Sequence, residues 1–253
     1  MSSFPVHSKP SKGDTRQPLN EPLVSALKKR GYTLSDGSPI LWVHELPEKI
    51  VLRKCTSITD VSPLGYGRVK TLRLSLCTGI TDVSTLGTVN YLDLSGCTRV
   101  VDVSALGKVE TLILTGCTGV VDVSALCNVE HLDLSWCTGV VDVSTLGGVE
   151  LLNMWGCTSV IDVSALGGVK HLNLSYCTGV VDVSSLGRVE WLNLTGCTGV
   201  VDVSSLGGGG VKTLILAGCT GVVDVSSLEG VEHLYLEGCT GITYFSTVPH
   251  ADR

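Results

Sequence analysis

Six cysteines, Cys97, Cys117, Cys137, Cys157, Cys177 and Cys197, recur at an interval of 20 residues. Cys55, Cys77, Cys219 and Cys239 continue the series, with two of the steps stretched to 22. A fixed short period is the mark of a solenoid, in which each unit packs only against its neighbours. The extra residues of the longer steps fall near Tyr66 and in the Gly207–Gly210 run. Both are turns between units, where insertion costs little. Repetition also accounts for the composition: 30 glycines, only 5% aromatic residues, and an apolar content made mostly of Val and Leu.

The unit Val109–Asn128 reads VETLILTGCTGVVDVSALCN, and its residues are numbered here as positions 1 to 20. Apolar residues stand at positions 1, 4, 6, 9, 12, 15 and 18. Positions 4 and 6 alternate with polar or variable ones, the period of a β-strand, so a short strand is predicted over Thr111–Thr115. Seven inward side chains per unit, at ~1.5–3 kcal/mol for each fully buried one, supply a large core once units stack. No single unit folds alone.

The pattern LxxLxLxx(N/C), with Val at its first site and Cys at its ninth, resembles the leucine-rich repeat. The remainder, CTGVVDVSxL, is similar to the convex half of the short repeats of bacterial internalins. It is closer still to the GCTGVTDVS-type repeat proteins of trypanosomatid parasites. The resemblance covers residues from about 47 to 248 in ten copies. It implies an α/β right-handed solenoid, with about ten short parallel strands on a concave face and 3₁₀ turns on a convex one. In such repeats position 9 holds a buried Asn or Cys that satisfies loop backbone groups. The family binds many unrelated partners, so the resemblance specifies a fold rather than a ligand.

Position 9 is therefore read as a row of buried free thiols, each a small hydrophobe with a weak donor. A metal site is the alternative. Thiols in a line at ~4.8 Å, the strand spacing, form no tetrahedral cage, so no metal and no cofactor are expected. Cys127 departs from the series, replacing Gly at a turn between units, and is the candidate reactive thiol.

Asp60, Asp82, Asp102, Asp122, Asp142, Asp162, Asp182, Asp202 and Asp224 form a second row, each opening DVSxL. Aspartate caps turns by accepting backbone N–H bonds from residues just beyond it, which predicts a short 3₁₀ turn in every unit. Like charges at ~5 Å repel by about 0.8 kcal/mol per pair in water and about 3 kcal/mol at an effective dielectric of 20. Hydrogen bonding to the charged form must offset that. A catalytic carboxylate pair needs two different environments, whereas these nine are equivalent.

Strand positions 3, 5 and 7, with position 8 beside them, point away from the core and tile the concave sheet. Between residues 69 and 239 every aromatic (Tyr91, Trp136, Trp155, Tyr176, Trp191, Tyr235) and every histidine (His131, His171, His233) falls on one of these four positions. Exposed aromatics gathered on one face mark a binding surface, although strands also favour aromatics by propensity. Position 5 adds Asp93, Asp133, Asn153, Asn173 and Asn193. Such a face suits a peptide or protein with hydrogen-bonding groups, and aromatics beside Asp and Asn also suit a sugar. These residues separate neither reading from the other. His131, Asp133 and Ser135 lie on one strand, and three residues in a row on an open sheet do not converge on a reacting atom, so no enzyme activity is expected.

The net charge of −6 gives no case for nucleic-acid binding. The charge is uneven, however: 14 of the 18 Lys and Arg precede residue 109, among them Lys49, Arg53, Lys54 and Arg73 on or beside the first two strands. An anionic partner could dock there. Residues 1–19 are polar, without the apolar core of a secretory signal, and read as a disordered tail. No apolar run is long enough to span a bilayer, which points to a cytoplasmic protein without membrane insertion. Residues 20–46 read as an N-terminal helical cap, with a helix over Glu21–Arg30, Asn20 as N-cap and Gly31 as stop. A role for this segment in recruiting a larger complex, as in a substrate-recognition adaptor, is the alternative. Residues 47–248 form the solenoid and 249–253 a polar tail, with Tyr244 and Phe245 closing the last repeat. The expected function is a protein-interaction scaffold that uses residues 91–235. A carbohydrate or small-ligand module is the second reading.

Overall fold

The computed structural model of the chain describes residues 17–243 and a strand at 251–252; the Tyr244–Phe245 closure lies outside the described residues. Ten three-residue strands follow one another: β1 (Lys49–Val51), β2 (Thr71–Arg73), β3 (Tyr91–Asp93), β4 (Thr111–Ile113), β5 (His131–Asp133), β6 (Leu151–Asn153), β7 (His171–Asn173), β8 (Trp191–Asn193), β9 (Thr213–Ile215) and β10 (His233–Tyr235). All pair in parallel and in sequence order within one sheet. The register joins equivalent positions, His131 to Leu151 and Leu151 to His171, so every repeat position becomes a straight row along the solenoid. This is the leucine-rich-repeat architecture, its strands on the concave face and its 3₁₀ turns on the convex one.

The inward positions behave as the period requires. In the unit from Val109, the side chains of Val109, Leu112, Leu114, Cys117, Val120, Val123 and Leu126 are all fully buried. The strands are shorter than the predicted Thr111–Thr115. Backbone pairing runs on, with Gly116 N–H bonded to Ser135 O at 2.7 Å, but the chain has already begun to turn, with Cys117 N–H bonded to Leu114 O at 2.9 Å. That turn puts position 8 in the left-handed region in all ten units. Six of these residues are glycine, and the other four are Lys54, Leu76, Trp136 and Tyr176, at φ between 58° and 63°.

The thiol row closes each turn. The Cys117 S–H donates to Leu94 O of the preceding unit at 3.1 Å, Cys137 to Leu114 O at 3.1 Å and Cys157 to Leu134 O at 3.0 Å. Burial pushes the thiols of Cys97, Cys117, Cys157, Cys197 and Cys219 up to about 12, so they stay protonated at neutral pH. Cys127 is half-buried, and so are Cys55 and Cys239 in the first and last units.

On the convex side each of the nine aspartates accepts the backbone N–H of the serine two residues on, for example Ser124 N to Asp122 Oδ1 at 2.9 Å. A 3₁₀ turn follows, such as Ser124–Leu126. Hydrogen bonds from the serine hydroxyl and backbone hold the carboxyls of Asp102, Asp122, Asp162, Asp182, Asp202 and Asp224 below the ordinary value of 3.8. At Asp82 and Asp142 the backbone N–H is the larger contributor. Hydrogen bonding thus outweighs repulsion along the row.

Ahead of the sheet, α1 (Glu21–Lys29) starts at Asn20, whose side chain accepts Leu23 N–H at 3.0 Å, and is followed by Gly31 at φ 79°. Leu23, Leu27, Ile40 and Val43 join the same buried cluster as the strand leucines. At the other end Ala251–Asp252 forms β11, parallel to β10, where the sequence shows only a polar tail. No helix among the described residues is long and apolar enough to cross a membrane.

Candidate functional site

The rows at positions 3 and 5 frame an open hollow of about 420 Å³ in the middle of the concave face. Its floor is Leu151 and Ile113 with Thr111, and its walls are His131, His171 and Trp191 from the position-3 row and Asp133, Asn153 and Asn173 from the position-5 row. The chain reaches this arrangement because side chains stand upright on a flat ladder. At position 3 of β6, Leu151 stands between His131 and His171 on the two adjacent strands.

Position 5 has a second job. Its side-chain oxygen accepts the backbone N–H of position 7: Asp133 from Ser135 at 2.8 Å, Asn153 from Trp155 at 3.2 Å, Asn173 from Ser175 at 3.0 Å and Asn193 from Thr195 at 2.9 Å. These bonds fix the Oδ1 of each amide, leaving the Nδ2 of Asn173 and Asn193 as the donor edge. Asn153 Nδ2 donates to Asp133 Oδ2 at 3.1 Å. Asp93 plays the same part in β3, accepting Ser95 N–H at 2.9 Å and the Ser75 hydroxyl at 2.7 Å.

Three ring contacts involve the outward positions. His171 and Trp191 stack with centroids 6.4 Å apart and an interplanar angle of 23° beside the hollow. Trp136 and Trp155, which are not among the residues lining the hollow, meet at 5.4 Å in a tilted pair, both more than 40% exposed. Tyr91 lies under the Arg73 guanidinium, 5.0 Å from the ring centre. Tyr176 is exposed and leans over Gly196, and Trp136 leans over Gly156; a Cβ at either glycine would meet the ring at under 3.0 Å. Leu76, Trp136 and Tyr176 are each followed by glycine at position 8 of the next unit, Gly96, Gly156 and Gly196, where a Cβ would meet the preceding side chain. Where position 8 is large (Leu76, Trp136, Tyr176) the preceding serine, Ser75, Ser135 or Ser175, is buried. Ser135 Oγ is the buried side-chain polar atom left without a partner among the described residues.

Of the sequence-based candidates, the hollow gathers His131, Asp133, Asn153, His171, Asn173 and Trp191. His233 and Tyr235 lie on β10, two strands beyond it. Lys49, Arg53, Lys54 and Arg73 are exposed on the first two units. His131 contacts Thr111 Oγ1 at 3.4 Å across the strands. The Asp133–Ser135 hydrogen bond uses the serine backbone rather than its hydroxyl, so the row holds no relay.

Reading for polar and aromatic residues missed Leu151 and Thr111, which shape the floor; their signal was an apolar or small residue at an outward position. It also missed a second exposed row. Val101, Val121, Val141, Ile161, Val181, Val201 and Val223, at position 13, are all at least 40% exposed. Neighbouring position 12 takes the inward direction, so position 13 faces out.

The class these features define is the leucine-rich-repeat solenoid. Solved structures of similar architecture include Listeria monocytogenes InlJ, whose functional domain carries a cysteine ladder. It is 16% identical, covers 88% of this chain and 61% of its own, and has a TM-score of 0.49. L. monocytogenes internalin C2 is 18% identical over 78% of this chain and 92% of its own, at 0.47. The leucine-rich-repeat domain of the type III effector XopL is 18% identical over 78% and 71%, at 0.46. The likeness is one of architecture. No family model matches the chain, and no curated protein matches it.

Proposed function

We propose that the chain is a protein-interaction scaffold that holds its partner on the concave face over residues 91–235. The observation that carries this is the hollow, where apolar Leu151 and Ile113 meet the His171–Trp191 stack and the side-chain amides of Asn153 and Asn173. Concave surfaces with a few oriented polar groups are where ligands bind, and exposed tryptophans dominate such interfaces. The face serves binding rather than catalysis, because its polar groups stand in parallel rows instead of converging. Residues 20–46 act as the N-terminal cap. Eleven free cysteines fit a reducing, cytoplasmic setting.

The test is a quantitative pull-down from native lysate, comparing wild type with the Trp136→Ala, Trp155→Ala, Trp191→Ala variant, both shown folded by circular dichroism. A protein kept by the first and lost by the second, then rebound in purified form, supports the reading. Equal retention by both refutes it. Sugar recognition is the second reading, favoured by tryptophans beside asparagines. It predicts glycan-array binding that the same variant abolishes, with no protein retained.

A further inference from the structure

We infer that the central hollow takes a cationic side chain, an arginine, from the partner; this rests on the concave-face reading above. The face is electrically divided. Around β4–β8, positions 2 to 8 carry five carboxylates, Glu110, Glu130, Asp133, Glu150 and Glu190, against one amine, Lys170. Lys170 is already tied to Glu150 at 2.8 Å. Lys212, the next amine along, is tied to Glu190 at 2.9 Å. Around β1–β2 the balance reverses, with Lys49, Arg53, Lys54, Lys70 and Arg73 against Glu48.

Within the acidic centre, Asp133 is the carboxylate that enters the hollow. It is half-buried and accepts one backbone N–H and one amide N–H, which leaves lone pairs free, and it has no cation beside it among the described residues. Leu151 and Ile113 offer an apolar bed for an aliphatic stem, and the His171–Trp191 stack offers a flat ring face. An arginine has both parts, a stem and a planar cation that stacks on rings and forks onto carboxylates.

The protein already builds this arrangement once with its own residues. Arg73 lies over the Tyr91 ring at 5.0 Å and pairs in register with Asp93 across β2 and β3. The centre repeats the position-5 carboxylate, with the His131 imidazole where the first site has the Tyr91 ring, but lacks the arginine, because position 5 of β4, next to Asp133, is Ile113. The partner would supply it, and would turn its acidic groups toward β1–β2.

Asp133→Asn isolates the charge. Asn153, Asn173 and Asn193 make the same bond to the backbone two residues on, so the variant keeps its fold. The probe is N-acetyl-arginine amide, with N-acetyl-glutamine amide as the neutral control, followed by NMR of the Trp191 indole N–H assigned through Trp191→Phe. The arginine probe is expected to shift this signal saturably, the glutamine probe not to, and Asp133→Asn to weaken the arginine response about tenfold or more. An equal response to both probes, or an unchanged one in Asp133→Asn, overturns the inference. In the pull-down, a partner kept by Asp133→Asn but lost by the triple tryptophan variant overturns the cation site and leaves the concave-face reading standing. Retention by both variants overturns the concave-face reading, and this site with it.

Discussion

The two exposed faces of this solenoid are built from the same repeats and obey different rules. On the convex face, seven successive units place Val or Ile at position 13 and follow it with Asp at position 14. On the concave face, position 3 runs through Tyr91, Thr111, His131, Leu151, His171 and Trp191 without repeating a neighbour. The difference follows from what each position does for the fold. The Asp row caps the 3₁₀ turns, so it cannot vary without a cost of about 1 kcal/mol per cap. Position 3 touches only its row neighbours and is free to carry recognition. Two concave positions lie between these extremes. Position 5 keeps Asp or Asn in five consecutive or near-consecutive strands because it caps the strand end, and position 8 is held in the left-handed region by the turn.

The largest expected break in that contrast comes from the interior. Leu152→Ala, at a fully packed position on β6, should cost about 2–5 kcal/mol in chemical denaturation. Trp155→Ala, three residues away and 41% exposed, should cost clearly less while abolishing partner retention. If the exposed tryptophan destabilises as much as the buried leucine, the concave face is part of the fold's support and the contrast fails.

Removing a convex cap comes next. Asp142→Ala deletes the acceptor for Ser144 N–H and should lower stability by about 1 kcal/mol, leaving concave binding unchanged. Acid probes the whole row together. The folded carboxyls sit below their ordinary value, so the stabilisation they give is complete above pH 3.8 and is lost as pH falls below it through the folded values. Melting temperatures should therefore hold from neutral pH down toward that value and then drop. Replacing Asp122, Asp142 and Asp162 together by Asn keeps the hydrogen bonds and should flatten the acid limb. An unchanged acid limb would show that other carboxyls set it.

Thiol chemistry gives a measure without unfolding. Cys77, Cys97, Cys117, Cys137, Cys157, Cys177, Cys197 and Cys219 are buried, so a disulfide reagent added to native protein should reach at most Cys55, Cys127 and Cys239. Fast labelling at any member of the interior row would mean that units open locally.

Most of the architecture was legible in the sequence because one physical demand, burial between stacked units, repeats ten times. Cys117, Asp122 and Leu126 each announce their place by recurring. The hollow was half-legible. Its polar and aromatic walls stand out at positions 3 and 5, but Leu151 looks like one more leucine until the register sets it between His131 and His171. The outward row of Val121 and its equivalents was hidden in the Val-Val pair, of which only one member faces the core. β11 was not legible, since Ala251–Asp252 lies outside the repeat and carries no periodic signal.

An effect no larger than that of a lost cap separates fold from function at one residue. Trp136 occupies a backbone site at φ 60° where six of ten units use glycine. A side chain there strains the chain by about 1–2 kcal/mol, because its Cβ crowds the following carbonyl. Glycine is ordinarily the worse choice for stability, by about 0.5–1 kcal/mol relative to alanine within a strand or helix, since it leaves the unfolded chain freer. At position 136 the order should reverse. Trp136→Gly and Trp136→Ala lose the same ring and its contact with Trp155, so the difference between them reports the backbone alone. Trp136→Gly is expected to be the more stable by about 1 kcal/mol in parallel denaturant titrations. Both should lose the partner equally. Reversal of stability with equal loss of binding would show a tryptophan kept against the preference of the turn, as expected of a residue retained for recognition. If alanine proves the more stable, position 136 carries no strain, and the ring is there because the fold accepts it.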